Sequence, residues 1–375
     1  MRDRRVLYIQ YTDPAAYPPL EHSAHILADA GWDVRFVAIE SYGARGMKLR
    51  PHERISIAHI GGRSGGPGGL LKYAAFAART ARLAQRLRPA WIYASDALAA
   101  PAALLAAKLS GARVVYHEHD VPARASGTTH GMMMRARDRL IDAADLLVVP
   151  SEGRRASLGR AADRARVVWN CPMTGEVAHA PPEARDTITL IYAGSISPDR
   201  LPVAFVHALS LLPEEIRLRV VGYQTIGAPR HVDELTAAAR AAGVAHRVEF
   251  RGPVDRTTLM ETELSSCDIG IATINTDTID ESLRTMAGAS NKAFDYMARG
   301  LPFLVNPEAS WREMFVSPGY AVACDPSDPA SIAAAVVPLV DQARRHEMGE
   351  RARNRILNEW NYEQQFAPVL AAMSS

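Results

Sequence analysis

Cysteine is scarce in this chain: three in 375 residues, Cys171, Cys267 and Cys324, far apart and odd in number. That excludes a disulfide framework and the paired spacing of a zinc ribbon, and it fits a reducing compartment. Long hydrophobic runs are missing too. The longest, Ala97–Ala107, has eleven residues and is broken by Pro101, well short of the roughly eighteen that a membrane span needs. The apolar run Val6–Ile9 near the basic N-terminus is too short for a signal segment, so a cytoplasmic protein is expected. The first strand-to-helix loop, TDPAAYPP, has no glycine, so the GxGxxG cradle of a dinucleotide dehydrogenase is absent. No Asp-x-Asp pair is present for manganese, and no metal is expected.

What is present points to a folded α/β protein. Hydrophobic residues make up 48% and charged residues 22% of the chain, a globular balance, and the length suits two domains of about 150 to 200 residues. Net charge is uneven. Residues 1–180 hold 25 Lys and Arg against 16 Asp and Glu, a net of +9, and residues 181–375 hold 18 against 25, a net of −7. A basic first half suits an anionic partner such as a membrane surface or a lipid phosphate. Nucleic acid is not expected, because no recognition motif appears and the basic helix described next lacks interleaved aromatics.

Val6–Tyr11, a helix over Leu20–Ala30 ending at Gly31, and Val34–Ala38 form a strand-helix-strand unit, which implies a parallel sheet. The tract GGRSGGPGG at 61–69 is expected to be a linker, since no strand is expected to feed it and no Lys-Ser or Lys-Thr closes it. Over Leu70–Arg88, Lys72, Arg79, Arg82 and Arg86 fall within an arc of about 80° beside Tyr73, Phe76, Leu83 and Leu87. Such a helix either lies on an anionic membrane or packs on the sheet with its basic face in water.

Strands are expected at Trp91–Ala94, Arg113–Tyr116, Leu146–Pro150 and Val167–Pro172, and the third of these leads into Ser151 and a basic helix. The second strand runs into HEHD, His117–Asp120, at the carboxyl end where α/β sheets gather ligands. Alternation is expected to turn His117 and His119 to opposite faces, which argues against a zinc pair. After a proline-rich linker the pattern restarts with Ile188–Ser195, Leu218–Gly222, Val248–Gly252 and Cys267–Thr273. The acids Asp277, Asp280 and Glu281 are expected in a solvated loop.

The densest signal is SNKAFDYMARGLPFLV, Ser290–Val305. Ser290 can cap a helix, Gly300 ends it, and the apolar strand Pro302–Val305 follows. A helix N-terminus with Lys292 beside it suits an anion such as a phosphate. Asp295, one turn in, can accept two hydrogen bonds from a vicinal diol, or else pair with Arg299 at i, i+4. Phosphate and diol together describe a nucleotide.

Lys292, Asp295, Tyr296, Gly300 and Pro302 spell K-x-x-(E/D)-Y-x-x-x-G-x-P, which resembles the donor-binding segment of bacterial family four retaining glycosyltransferases. The resemblance implies the GT-B fold, two Rossmann-like domains with parallel sheets facing a central cleft. It implies that Asp295 stands where the second of two glutamates holds the donor ribose; the first would fall at Ala287. Four more segments, in the family's order, are similar. His119 stands where a histidine lies by the donor sugar. Gly194, Ser195 and Arg200 stand at the strand, G-(R/K) and following cation of a diphosphate site, Ser195 replacing the first cation. Gly222 ends the next strand, and Arg251 and Val254 lie where a loop touches the base. Ser290, Asn291 and Lys292 complete the donor site.

The expected domains are 1–172, a linker at 173–186, 187–355, and a C-terminal helix at 356–375 crossing back to the first. The implied enzyme is a retaining, metal-independent glycosyltransferase with His119, Arg200 and Lys292 catalytic. Its donor would be a nucleotide diphosphate sugar and its acceptor a glycan, a lipid-linked or a small molecule. It would have no cofactor and could sit peripherally at the inner face of the membrane through Leu70–Arg88. A sugar-nucleotide epimerase of the same fold and a non-catalytic glycosyltransferase-like subunit are the alternatives.

Overall fold

The computed structural model describes residues 4–40, 47–63, 69–119, 128–179, 185–224, 227–274 and 286–375. The tract at 64–68, Asp120, the linker prolines Pro181 and Pro182, and Asp277, Asp280 and Glu281 lie outside the described residues. Two compact units emerge. One comprises Met1–Asn170, Asp280–Ala289 and Tyr362–Ser375, the other Cys171–Ile279 and Ser290–Asn361.

The first unit is a seven-stranded parallel sheet in the order β3-β2-β1-β4-β5-β6-β7. Its strands are β1 (Arg5–Ile9), β2 (Asp33–Glu40), β3 (Ile55–Arg63), β4 (Trp91–Ser95), β5 (Arg113–His117), β6 (Leu146–Val149) and β7 (Ala165–Val167). β1, β4, β5 and β6 read as unbroken apolar runs because helices cover both faces of a parallel sheet. Helices α1 (Pro18–Asp29), α2 (Gly69–Leu87), α3 (Asp96–Ser110), α4 (Thr128–Ala143) and α5 (Glu152–Ser157) make the crossovers. The C-terminal helix Tyr362–Ser374 belongs to this unit. It buries Tyr362, Phe366, Val369 and Met373, and the Trp91 indole donates to the Met373 carbonyl at 3.0 Å.

Two expectations change here, and α2 follows the sheet-packed one of its two alternatives. β3 runs directly toward the glycine tract, so a strand does feed it. The expected strand Val167–Pro172 is replaced by Ala165–Val167. The apolar arc of α2 faces inward: Phe76 is buried, with Tyr73, Leu83 and Leu87 packed about the same core. The large apolar side chains that α2 leaves exposed are in its first turn, Leu70 at 76% and Leu71 at 77%.

The second unit is a six-stranded parallel sheet in the order β10-β9-β8-β11-β12-β13. Its strands are β8 (Ile188–Ile196), β9 (Ile216–Gln224), β10 (Val248–Gly252), β11 (Ile269–Ile271), β12 (Phe303–Val305) and β13 (Ala321–Ala323). Helices include α6 (His231–Ala241), α7 (Asn291–Ala298) and α8 (Gln342–Asn358). In both sheets the strand order reverses once, beside β1 and beside β8. That reversal opens a crevice at the carboxyl ends of the strands, the usual ligand position in such folds.

Candidate functional site

The second unit's site is built on α7. Tyr296, fully buried, sets this helix against the sheet. Its hydroxyl accepts from the Ala193 amide at 3.2 Å and lies 3.1 Å from the Ile191 carbonyl and 3.2 Å from that of Ile271. One phenol therefore ties α7 to both β8 and β11. Gly270 makes the approach possible, because a Cβ there would lie 2.2 Å from the Tyr296 ring.

Ser290 occupies the N-cap position, but its side chain makes no capping bond, contrary to expectation. Among the described residues, its buried Oγ and the Asn291 Oδ1 have no hydrogen-bond partner. The helix start thus keeps the uncapped amides and positive end of a helix dipole.

Lys292 lies beside that start. It is buried, with Nζ 5.3 Å from the centre of the Tyr192 ring. Burial first, then the nearby Arg200 charge, lowers its pKa to about 7, while Asp295 pulls it upward. Gly194 and Gly222, paired in register at the ends of β8 and β9, make room. Their φ angles of 133° and 147° lie outside the range that suits other residues. A Cβ on Gly194 would lie 3.1 Å from Lys292 Cε, and one on Gly222 would fall 1.8 Å from the Gly194 carbonyl oxygen. Ser195 and the half-buried Arg200 follow on the same chain segment.

Asp295 does not pair with Arg299. Its carboxylate accepts from Arg256 at two points, Nη2 to Oδ1 at 2.8 Å and Nη1 to Oδ2 at 3.2 Å. Arg256 also donates from Nε and Nη2 to Glu176. Burial works against its charge, but Asp295 and Glu176 outweigh that and raise its pKa. Arg299 turns instead to the Glu176 carbonyl and Ser265 Oγ. No sequence motif marks Arg256 or Glu176. They sit 80 residues apart, one after an edge strand and one in the stretch read as linker. Of the expected base-contacting residues, Arg251 is exposed and paired with Glu249, and Val254 is half-buried.

In the first unit the carboxyl ends of β4 and β5 bring buried polar groups together. The His117 and His119 rings lie against each other with centroids 3.8 Å apart, tilted by 35°. The expectation of opposite faces is wrong, since residues i and i+2 of a strand share a face. Burial lowers the His119 pKa to about 3, with the Arg154 charge adding to it. His119 is therefore neutral at ordinary pH. Its backbone amide donates to Asp96 Oδ1 at 2.7 Å, and Asp96 holds a left-handed φ of 61°, a conformation that disfavours non-glycine residues by about 1 kcal/mol or more. His117 Nδ1 lies 2.7 Å from the Tyr93 hydroxyl. No group of three His, Cys, Asp or Glu side chains suited to a metal ion occurs among the described residues.

Known proteins share this organisation. Residues 20–171 match the family model of a glycosyl transferase 4-like domain, and residues 187–342 match that of the glycosyl transferases group 1. A D-inositol 3-phosphate glycosyltransferase from Xylanimonas cellulosilytica is 29% identical over 169 residues, 45% of this chain and 38% of that protein. The chain therefore spans well under half of that relative. HepE from Anabaena, solved in complex with UDP and glucose, superposes over 100% of both chains with TM-score 0.74 at 15% identity. Sucrose-phosphate synthase from Thermosynechococcus elongatus superposes over 99% of this chain and 98% of its own with TM-score 0.72 at 14% identity. At such identities the likeness shows the fold.

Proposed function

We infer the activity from the premise that this chain belongs to the GT-B glycosyltransferases, its first half a glycosyl transferase 4-like domain and its second half of the group 1 kind. It transfers a sugar from a nucleotide diphosphate sugar to an acceptor hydroxyl. The observation that carries this reading is the crowding of Arg200 and Lys292, close enough to depress the lysine's proton affinity, at the uncapped start of α7 with Asp295 one turn in. Two like charges are held together favourably only when an anion joins them, and a diphosphate is such an anion. The UDP and glucose held by HepE, which shares this fold, support the donor class.

In the reaction the bond between the anomeric carbon and the diphosphate oxygen breaks, and the acceptor oxygen bonds to that carbon with retained configuration. The acceptor proton passes to the departing diphosphate. Arg200, Lys292 and the amides of α7 stabilise the charge that develops there, the task a metal performs in other enzymes. Asp295 accepts from the ribose hydroxyls. Neutral His119 contributes as a hydrogen-bonding group to the sugar. The acceptor docks on the basic first unit. An anionic membrane surface meets Leu70, Leu71 and the basic face of α2, which suits a lipid-linked acceptor.

Turnover of a panel of nucleotide sugars tests the assignment. Arg200→Ala and Lys292→Ala should each lower kcat/KM by about a hundredfold, as expected for charge stabilisation at a leaving group. Unchanged turnover in both variants removes the diphosphate site. Consumption of the donor with no acceptor present would turn the reading toward an epimerase.

A further inference from the structure

Lysine is rare in this chain. Of its 43 lysines and arginines, four are lysines: Lys48, Lys72, Lys108 and Lys292. The first three sit at exposed or half-buried positions, and Lys292 alone is buried, at 9% exposure. Among the described residues its Nζ has no hydrogen bond and no ion pair. It faces the Tyr192 ring, 5.3 Å from the ring centre, and lies beside Gly194, which presents no side chain to it. A buried ammonium without an acceptor is unfavourable, so burial favours the free amine. The half-buried Arg200 pushes the same way and Asp295 pushes against it, with the balance at a pKa of about 7. About three quarters of this amine is then neutral at about pH 7.5, against about a thousandth of an exposed lysine.

A neutral lysine amine held beside a second cation is a nucleophile. For charge alone an arginine would serve, since it keeps its proton and grips phosphate with a fork. What lysine adds is chemistry. The electrophile has to be small to reach a buried amine, and its product should supply the negative charge that suits Arg200 and the uncapped start of α7. Carbon dioxide meets both demands. The Nζ lone pair bonds to its carbon, one C=O electron pair moves onto oxygen, and an N–H proton leaves to solvent, giving a carbamate with one negative charge. An aldehyde would give an imine, with no anion for Arg200. Ser290 Oγ, on a residue 2% exposed and without a hydrogen-bond partner among the described residues, stands at the same helix end as a further donor.

We propose that Lys292 takes up carbon dioxide as a carbamate, whose carboxylate is held by Arg200 and the start of α7, and that this adduct shuts out the donor's diphosphate. The adduct needs only the residues named here; its effect on the donor rests on the donor-site reading above. A diphosphate favours the ammonium and carbon dioxide the free amine, so each weakens the other.

Labelled bicarbonate added to the full chain at about pH 7.5, followed by carbon NMR, tests this. Beside the signal of the terminal amine, the wild-type chain should show a carbamate resonance that is absent from Lys292→Met and Lys292→Arg. Arg200→Gln takes away the neighbouring cation and should lower that resonance at least about threefold. Alkylation of the carbamate followed by peptide mass spectrometry locates it on the wild-type chain, and carries the test should the variants fail to fold. Whichever of UDP, GDP and ADP binds most tightly by calorimetry should, at saturation, reduce the Lys292 resonance about tenfold or more. Dissolved carbon dioxide should raise the donor KM at least about twofold with kcat unchanged, measured against chloride at equal ionic strength. No adduct on Lys292 by either readout overturns the proposal and leaves the donor site standing. Competition by bicarbonate without an adduct overturns it too, since any anion could compete in that way. An adduct that persists under saturating nucleotide overturns the exclusion. No binding of any diphosphate overturns the donor site and the exclusion with it, whereas the adduct is still decided by the NMR of wild type against Lys292→Met.

Discussion

Lys292 is held where its own charge is unfavourable, with a pKa brought to about 7 by burial and by Arg200. Its unfolded-state value of 10.5 is higher, so the unfolded chain binds the proton more tightly. Folding stability without ligand should therefore rise as pH climbs from about 7 toward 10. Donor binding runs the other way. A bound diphosphate favours the charged lysine, so binding above neutrality takes up a proton. UDP-glucose has no group of its own titrating near neutrality, which makes it a clean probe. Its affinity should weaken by up to about tenfold per unit as pH rises from about 7 to 9, and Lys292→Met should bind more weakly with a flat profile. A steep profile in the methionine variant would assign the proton elsewhere. His119 should add no limb near pH 6.5, because burial keeps it neutral down to about pH 3.

At the level of elements, α7 owes its placement to Tyr296 more than to its own eight residues, since a helix that short is unstable alone. Tyr296→Phe removes a buried hydroxyl and leaves the Ala193 amide without that acceptor, at a penalty of about 1 to 3 kcal/mol. A lower melting temperature together with a weakened diphosphate affinity is the expected result, read by thermal unfolding and calorimetry; stability loss with intact affinity would mean that α7 keeps its place without this tie. α2 makes a separate prediction. Its apolar arc is in the core, so only Leu70 and Leu71 with the basic face remain for a lipid surface. Flotation with liposomes rich in acidic lipid should retain the wild-type chain and release Leu70→Ser/Leu71→Ser, with salt weakening retention. Equal flotation of both would leave α2 an ordinary sheet-packed helix.

On the scale of the whole molecule, the last helix ties the end of the chain to its first unit. Tyr362, Phe366, Val369 and Met373 are all buried there. Each contributes about 1.5 to 3 kcal/mol of burial, so removing residues 362–375 should lower stability by at least about 5 kcal/mol. Thermal unfolding of the truncated chain measures this, and an unchanged melting temperature would show that the helix is not part of the first unit's core.

The chain's own letters determined a great deal. Unbroken apolar runs at β1, β4, β5, β6 and β8 announced buried parallel strands, because a strand covered on both faces needs no polar alternation. Lys292, Asp295 and Tyr296 were legible because their chemistry depends on spacing along one helix. Edge strand β3 escaped notice for the opposite reason: it leaves Ile57 partly in water and mixes Ser, Ala and His among its isoleucines. Only the tertiary structure decided the partners. Asp295 has Arg299 at the right spacing, yet it pairs with Arg256, and Glu176 joins them from 119 residues before Asp295. Helical periodicity brings near neighbours together, but a buried carboxylate takes the cation that packing seals in with it, and a linear pattern carries no record of that choice.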